Sequence, residues 1–159
     1  MPVRTLRSSE PRIVTSPSRK LVGKSRAMSL AENKTFELWR SFMPERKQIL
    51  HTVSGDLFSV QVFPEHFNFE HFDITAVFDK WAAMEVDYFK QQPENMKHFT
   101  IEEGLYAVFD HVGAASDGPE TFRYIFSTWL PASLYDVDAR PHFEILGAKY
   151  KNDQPDSEE

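Results

Sequence analysis

The sequence predicts an α+β domain made of two similar β-α-β-β units, with two helices on an antiparallel sheet and a cleft between the halves. Three observations carry this. Leu38, Trp39, Phe42 and Met43 fall on one helical stripe, and Phe122, Ile125, Phe126, Trp129 and Leu130 repeat at i, i+3, i+4, i+7 and i+8. Strand-like segments flank each stripe in matching order. Both helices also open and close alike: Thr35-Phe36 and Thr121-Phe122 begin them, and Phe42-Met43-Pro44 and Trp129-Leu130-Pro131 end them.

Residues 1–10 read as a flexible lead. Residues 12–29 read as a bent strand, with Ile13 and Val14, a turn at Ser16-Pro17-Ser18, then Leu21 and Val22. Asn33 is placed to cap the first helix, and Pro44 to end it. Residues 56–63 alternate, with Leu57, Ser59 and Gln61 on one side and Phe58, Val60 and Val62 on the other. A loop rich in Phe and His follows, from Pro64 to Phe72. A long strand is expected over 74–89, and another over 98–112, bent at Gly104. Asp117-Gly118-Pro119-Glu120 is a helix start, and Pro131 is expected to stop that helix. A last strand runs around His142 to Leu146. The domain therefore spans 11–151, and 152–159 is an acidic tail.

Composition narrows the function classes. The chain has 159 residues, enough for one domain, and 41% are hydrophobic, enough for a core. Its fourteen Phe residues point to a Phe-heavy core or a roomy aromatic pocket. The absence of cysteine excludes disulfides, zinc–thiolate sites and cysteine nucleophiles. No apolar run is long enough to span a bilayer, and no apolar stretch follows Arg4 and Arg7 as in a secretory signal, so no membrane role and a cytoplasmic location are expected.

Net charge is −6. Residues 1–30 carry seven basic residues and one acid, and the rest carries eleven basic and twenty-three acidic residues. Such an acidic body disfavours direct nucleic-acid binding and favours cationic ligands. No G-x-S-x-G elbow, P-loop or dinucleotide fingerprint is present, so no cofactor is expected. Residues 1–10 leave no room for a separate helix-turn-helix domain.

Several motifs of the second half stand in a definite order. Gly104-Leu105-Tyr106-Ala107-Val108-Phe109 leads through Gly113 to a helix ending in Trp129-Leu130-Pro131, then to Arg140-Pro141-His142-Phe143-Glu144. The first half contributes a Leu38-Trp39-x-x-Phe42 helix. In these features the chain resembles the GyrI-like (AraC effector-binding) family over roughly residues 11–151. The resemblance implies a duplicated β-α-β-β fold that holds hydrophobic, often cationic molecules between its halves. Some members are effector domains of transcription regulators, some are single-domain proteins linked to multidrug binding, toxin resistance or gyrase protection, and some hydrolyse cyclopropane-bearing genotoxins. Fold alone does not choose among these. One feature departs from the pattern. Similar proteins continue past the acidic stretch into a final strand, an aromatic-Ile-Pro-Ile type of run, and none follows Lys151. Without that strand one sheet position is empty, and three explanations stay open: the sequence is truncated, a partner supplies the strand (self-association through the open edge being one route), or the fold tolerates the loss.

The resemblance places the family's central pocket glutamate at Glu144. On a strand, Glu144 and Leu146 point opposite to Phe143 and Ile145. A carboxylate in an aromatic cleft attracts cations and has a raised pKa; an exposed, solubilising strand glutamate is the plainer alternative. Trp39, Trp81, Tyr106, Phe109 and Trp129 are pocket-wall candidates, and the core reading is the stronger one for Phe109 and Trp129. Glu85 and Asp87 read as an exposed acidic face. His66 and His71 match no standard zinc spacing, and His111 reads as a structural histidine. The expected role is a stand-alone domain that senses or sequesters a small hydrophobic or cationic ligand. A hydrolase of strained electrophilic toxins, with Glu144 as general base, and an acidic inhibitor of a nucleic-acid enzyme are the alternatives.

Overall fold

In a computed structural model, residues 10–65, 67–69 and 73–152 are described. The element order is β1 (Arg12–Ser16), β2 (Arg19–Met28), α1 (Thr35–Phe42), β3 (Leu57–Val62), β4 (Phe78–Val86), β5 (Lys97–Ile101), β6 (Gly104–Val108), α2 (Gly118–Tyr124) and β7 (His142–Leu146). The fold is mixed α+β, with two helices and open antiparallel sheets. Five strands form one sheet in the order β5-β2-β4-β3-β7, and β1 pairs with β6 in a separate ribbon. The first β-α-β-β unit is β2-α1-β3-β4. The second reads β6-α2-β7 among the described residues, with a turn at Gly147–Tyr150 beyond it.

The ribbon and the sheet are two stretches of one bent ladder. Pro17 has no N–H to give to a ladder, and the chain breaks there between β1 and β2. Its partner breaks at Glu102-Glu103, between β5 and β6. β4 starts at Phe78 rather than at residue 74, because Asp73 holds the preceding turn: its carboxylate accepts from the Thr75 N–H at 2.8 Å and the Thr75 hydroxyl at 2.6 Å. α1 begins at Thr35, and Asn33 Oδ1 accepts from the Thr35 N–H at 3.0 Å, one residue upstream of the cap position itself.

The second helix does not stop at Pro131. After α2 the chain makes a π-helical turn (Ile125–Trp129) and one last α-helical turn (Leu130–Ala132). Leu130 N–H reaches back five residues to Ile125 O, and Pro131 follows with no N–H of its own. The extra residue in this turn splits the aromatic stripe. Phe126 stays with Phe122, their rings 4.5 Å apart, while Trp129 turns to Phe109 and Tyr135.

Because side chains alternate along strands, the five-stranded sheet has two apolar faces. On one face Val22, Ala82, Met84 and Val86 pack with Leu38 and Phe42 of α1. On the other, Leu21, Phe58, Val60, Ala83 and Ile101 pack with Tyr106 of the ribbon. Gly23 sits where β2 is paired on both sides, opposite Ala83 and Lys97. A Cβ at Gly23 would overlap the Ala82 carbonyl oxygen and lie 2.6 Å from Ala83 Cα. Gly23→Ala is therefore expected to cost about 2–3 kcal/mol, since backbone rather than a flexible side chain must yield. A urea midpoint equal to wild type would rule out this close approach.

Candidate functional site

The strand register assembles the site. Glu144 of β7 faces Ser59 of β3, which faces Ala82 of β4. One pair along, His142 faces Gln61, which faces Lys80. All six lie on the helix side of the sheet, because Ala82 belongs to the core under α1. That helix packs over β2 and β4, and Phe126 of the second helix stacks on His142 at the other end of the row. Glu144 and Ser59 lie on the strip between them.

Glu144 is exposed on β7, and desolvation by the neighbouring protein pushes its carboxyl above the usual range. Together these describe an exposed carboxylate on the sheet face between α1 and the second helix. Lys80, Gln61, Ser59 and His111 pull the other way, Lys80 and His111 by charge and the other two by hydrogen bonding.

The wall beside His142 is aromatic. Phe126 and His142 are nearly parallel, 12° apart with centroids at 5.7 Å, and Phe69 stacks on both. Phe63 touches Phe67, Phe69, Phe78 and His142 with centroids 4.6–5.3 Å apart. Desolvation in this stack lowers the His142 pKa to about 4, so its ring is uncharged at neutral pH. Outside the stack a groove of about 590 Å³ opens, lined by Glu65, Phe69, Phe126, Leu130, Tyr135 and Asp136 among others.

The sequence candidates divide by face. Trp39 is half-buried on α1, edge-on to Phe42 at 5.8 Å, on the helix side with Glu144. Leu146 shares the Glu144 side and is buried opposite Leu57. Trp81 and Tyr106 are on the far face, because Trp81 pairs with Val60, one residue off the Ser59 row. There Trp81 packs on Phe99 at 4.4 Å, and Tyr106 on Phe143 at 5.4 Å under the Arg140 guanidinium. Phe109 and Trp129 form their own edge-to-face pair at 5.2 Å.

Other charged and polar candidates are placed as follows. Glu85 is ion-paired with Arg19 at 3.0 Å on the far face. His111 is buried, with Nδ1 2.7 Å from the Thr121 hydroxyl and Nε2 3.2 Å from the Ala114 carbonyl. His66 and His71 lie outside the described residues. Among the described residues, no group of three or more His, Cys, Asp or Glu could hold a metal, and no helix is long and apolar enough to cross a membrane.

Sequence reasoning did not single out Lys80, Gln61, Ser59, His142 or Phe126 as site residues. One signal was available. β3 alternates apolar Phe58, Val60 and Val62 with Ser59 and Gln61, so its polar face had to meet something other than core.

Comparison with known proteins adds four findings. The family model described as the GyrI-like small molecule binding domain matches residues 9–159. The transcriptional regulator BrlR of Pseudomonas aeruginosa is 27% identical over 146 residues, covering 92% of this chain and 51% of the regulator, so the chain spans about half the length of that relative. Among solved structures, SAV2435 bound to tetraphenylphosphonium superimposes with a TM-score of 0.71 at 13% identity, over 94% of this chain and 90% of the other. An integron cassette protein from the mobile metagenome of Vibrio cholerae gives 0.63 at 13% identity, over 89% and 90%.

Proposed function

Since the chain belongs to the GyrI-like family of small-molecule-binding domains, we propose that it holds a hydrophobic, cationic compound in the cleft over Glu144, as an effector-sensing or sequestering module. The observation that carries this is the position of Glu144: a solvent-reachable carboxylate on a sheet floor, between α1 and an aromatic wall with no charged ring. The similar SAV2435 structure with its bound phosphonium cation supports the same ligand class.

The chemistry is a division of labour. Aromatic faces remove the apolar body of the ligand from water and attract its charge, at about 0.5–2 kcal/mol for each cation–π contact. The carboxylate supplies the opposite charge where crowding by protein weakens solvent screening. Because crowding also raises its pKa, Glu144 gives up a proton less readily than a free glutamate does. A cation favours the ionised form, so binding should strengthen as pH rises through the Glu144 titration.

Glu144→Gln keeps the shape and removes the charge. It is expected to weaken tetraphenylphosphonium binding about 10- to 100-fold at pH 8 by isothermal calorimetry, and to change binding of neutral triphenylphosphine oxide less than twofold. Equal losses for both probes, or none for the cation, would remove the charge-pairing reading.

A further inference from the structure

Lys80 shares the cleft floor with the carboxylate. The ladder puts Lys80, Gln61 and His142 in one cross-strand row and Ala82, Ser59 and Glu144 in the next, so Lys80 and Glu144 lie diagonally across β3 on the same face. The Lys80 ammonium is anchored at the start of α1, where Nζ donates to Thr35 Oγ1 at 3.3 Å. Lys24, on the same face of β2, is taken up by Glu45 and by Ser41 Oγ at 2.9 Å, and Glu45 in turn accepts from Asn95. His142, the other titratable group of the Lys80 row, is half-buried and uncharged at neutral pH.

We infer that Lys80 is a specificity-determining residue of the cleft, an internal cation held on α1 that partly neutralises Glu144 and so limits how strongly the site prefers cationic over neutral ligands. This rests on the proposed binding role of the cleft and deepens it. With the ligand absent, the ammonium offsets the cost of keeping a carboxylate in a crowded place. With a cationic ligand present, the two positive charges compete for one carboxylate, and the mutual repulsion lowers affinity. A neutral ligand of the same shape meets no such competition. The direction in which Lys80 moves the Glu144 titration agrees with this placement.

The test is a charge-split ratio. Wild type, Lys80→Met, Lys80→Gln and Lys80→Arg are titrated with tetraphenylphosphonium and with triphenylphosphine oxide at pH 8.5, chosen to keep Glu144 ionised once the ammonium is gone. Both neutral variants are expected to bind the cation about tenfold tighter, the scale set by one unit charge across a partly solvated gap. The neutral probe should change less than twofold, and Lys80→Arg should restore the wild-type ratio. Two neutral variants of different polarity are used so that poor folding of one leaves the other to decide. Wild type binding both probes, with the ratio unchanged in the neutral variants, would overturn this assignment alone. Wild type binding neither probe would overturn the proposed function of the cleft and this assignment with it.

Discussion

Phe42→Ala is expected to lower stability by about 3–5 kcal/mol, read as a shift in the urea midpoint at unchanged slope. Phe42 is fully buried, at 0% exposure, and sits at the end of α1 against the helix-side core. Its removal takes the largest fully buried side chain of α1 out of that core. It also takes away the ring against which Trp39 stands edge-on at 5.8 Å. If Trp39 lines the proposed binding site, the loss should reach binding as well as folding. Phe36 is the control. It lies on the same helix, six residues earlier, and is 74% exposed. Phe36→Ala should change stability by no more than about 0.5 kcal/mol. Similar effects at both positions would mean that α1 does not dock on the sheet as described.

Those two phenylalanines show what sequence pattern carries and what it omits. The stripe of Leu38 and Trp39 with Phe42, four and three residues on, identified the buried side of α1, and Leu38 and Phe42 are its two buried residues. Phe36 stands three residues before Trp39, at the edge of that stripe, and is exposed all the same. The alternation in β3 likewise anticipated which residues share a face, and the Glu144/Leu146 against Phe143/Ile145 division holds in the register of β3 with β7. Period-two and period-3.6 patterns are local, so they survive in the linear sequence.

Which strands become neighbours is not a local property, and this is where the reading of the site fell short. That Lys80 and Glu144 share one face of the sheet depends on β4 and β7 flanking β3. That Trp81 faces away from it depends on a one-residue offset across the same ladder, and such an offset places a side chain on the opposite face. The π-helical turn was also hidden. The heptad-like stripe Phe122 to Leu130 treats the helix as regular, whereas one extra residue per turn before Pro131 sends Phe126 to His142 and Trp129 to Phe109. The histidine beside the glutamate was legible as a residue type only. Its role follows from the three rings packed on it, two of which come from the loop after β3.

His142 should make the domain acid-sensitive in a defined window. Its pKa falls from an ordinary 6.5 to about 4 in the folded chain because the aromatic stack strips water from it. The folded state therefore takes up the proton less readily than the unfolded state, and protonation favours unfolding. The stabilising difference is fully present above about pH 6.5, erodes as pH falls, and is gone near pH 4. Its ceiling is about 3.5 kcal/mol, from about 1.4 kcal/mol for each pH unit of separation. Glu144 runs in the opposite direction. Its folded pKa is raised, so its contribution is present below its ordinary 4.5 and is lost as pH rises through the folded value. Protonation of Glu144 thus offsets part of the His142 loss on the acid side. Urea midpoints from pH 7.5 to 4 should separate the two. His142→Phe retains an aromatic ring in the stack and should flatten the decline below pH 6.5. Glu144→Gln should steepen it. If His142→Phe declines as steeply as wild type, the histidine is not held neutral by the stack. The same desolvation would then fail to explain the uncharged wall, and a cation bound over Glu144 would face a second positive charge as the pH dropped.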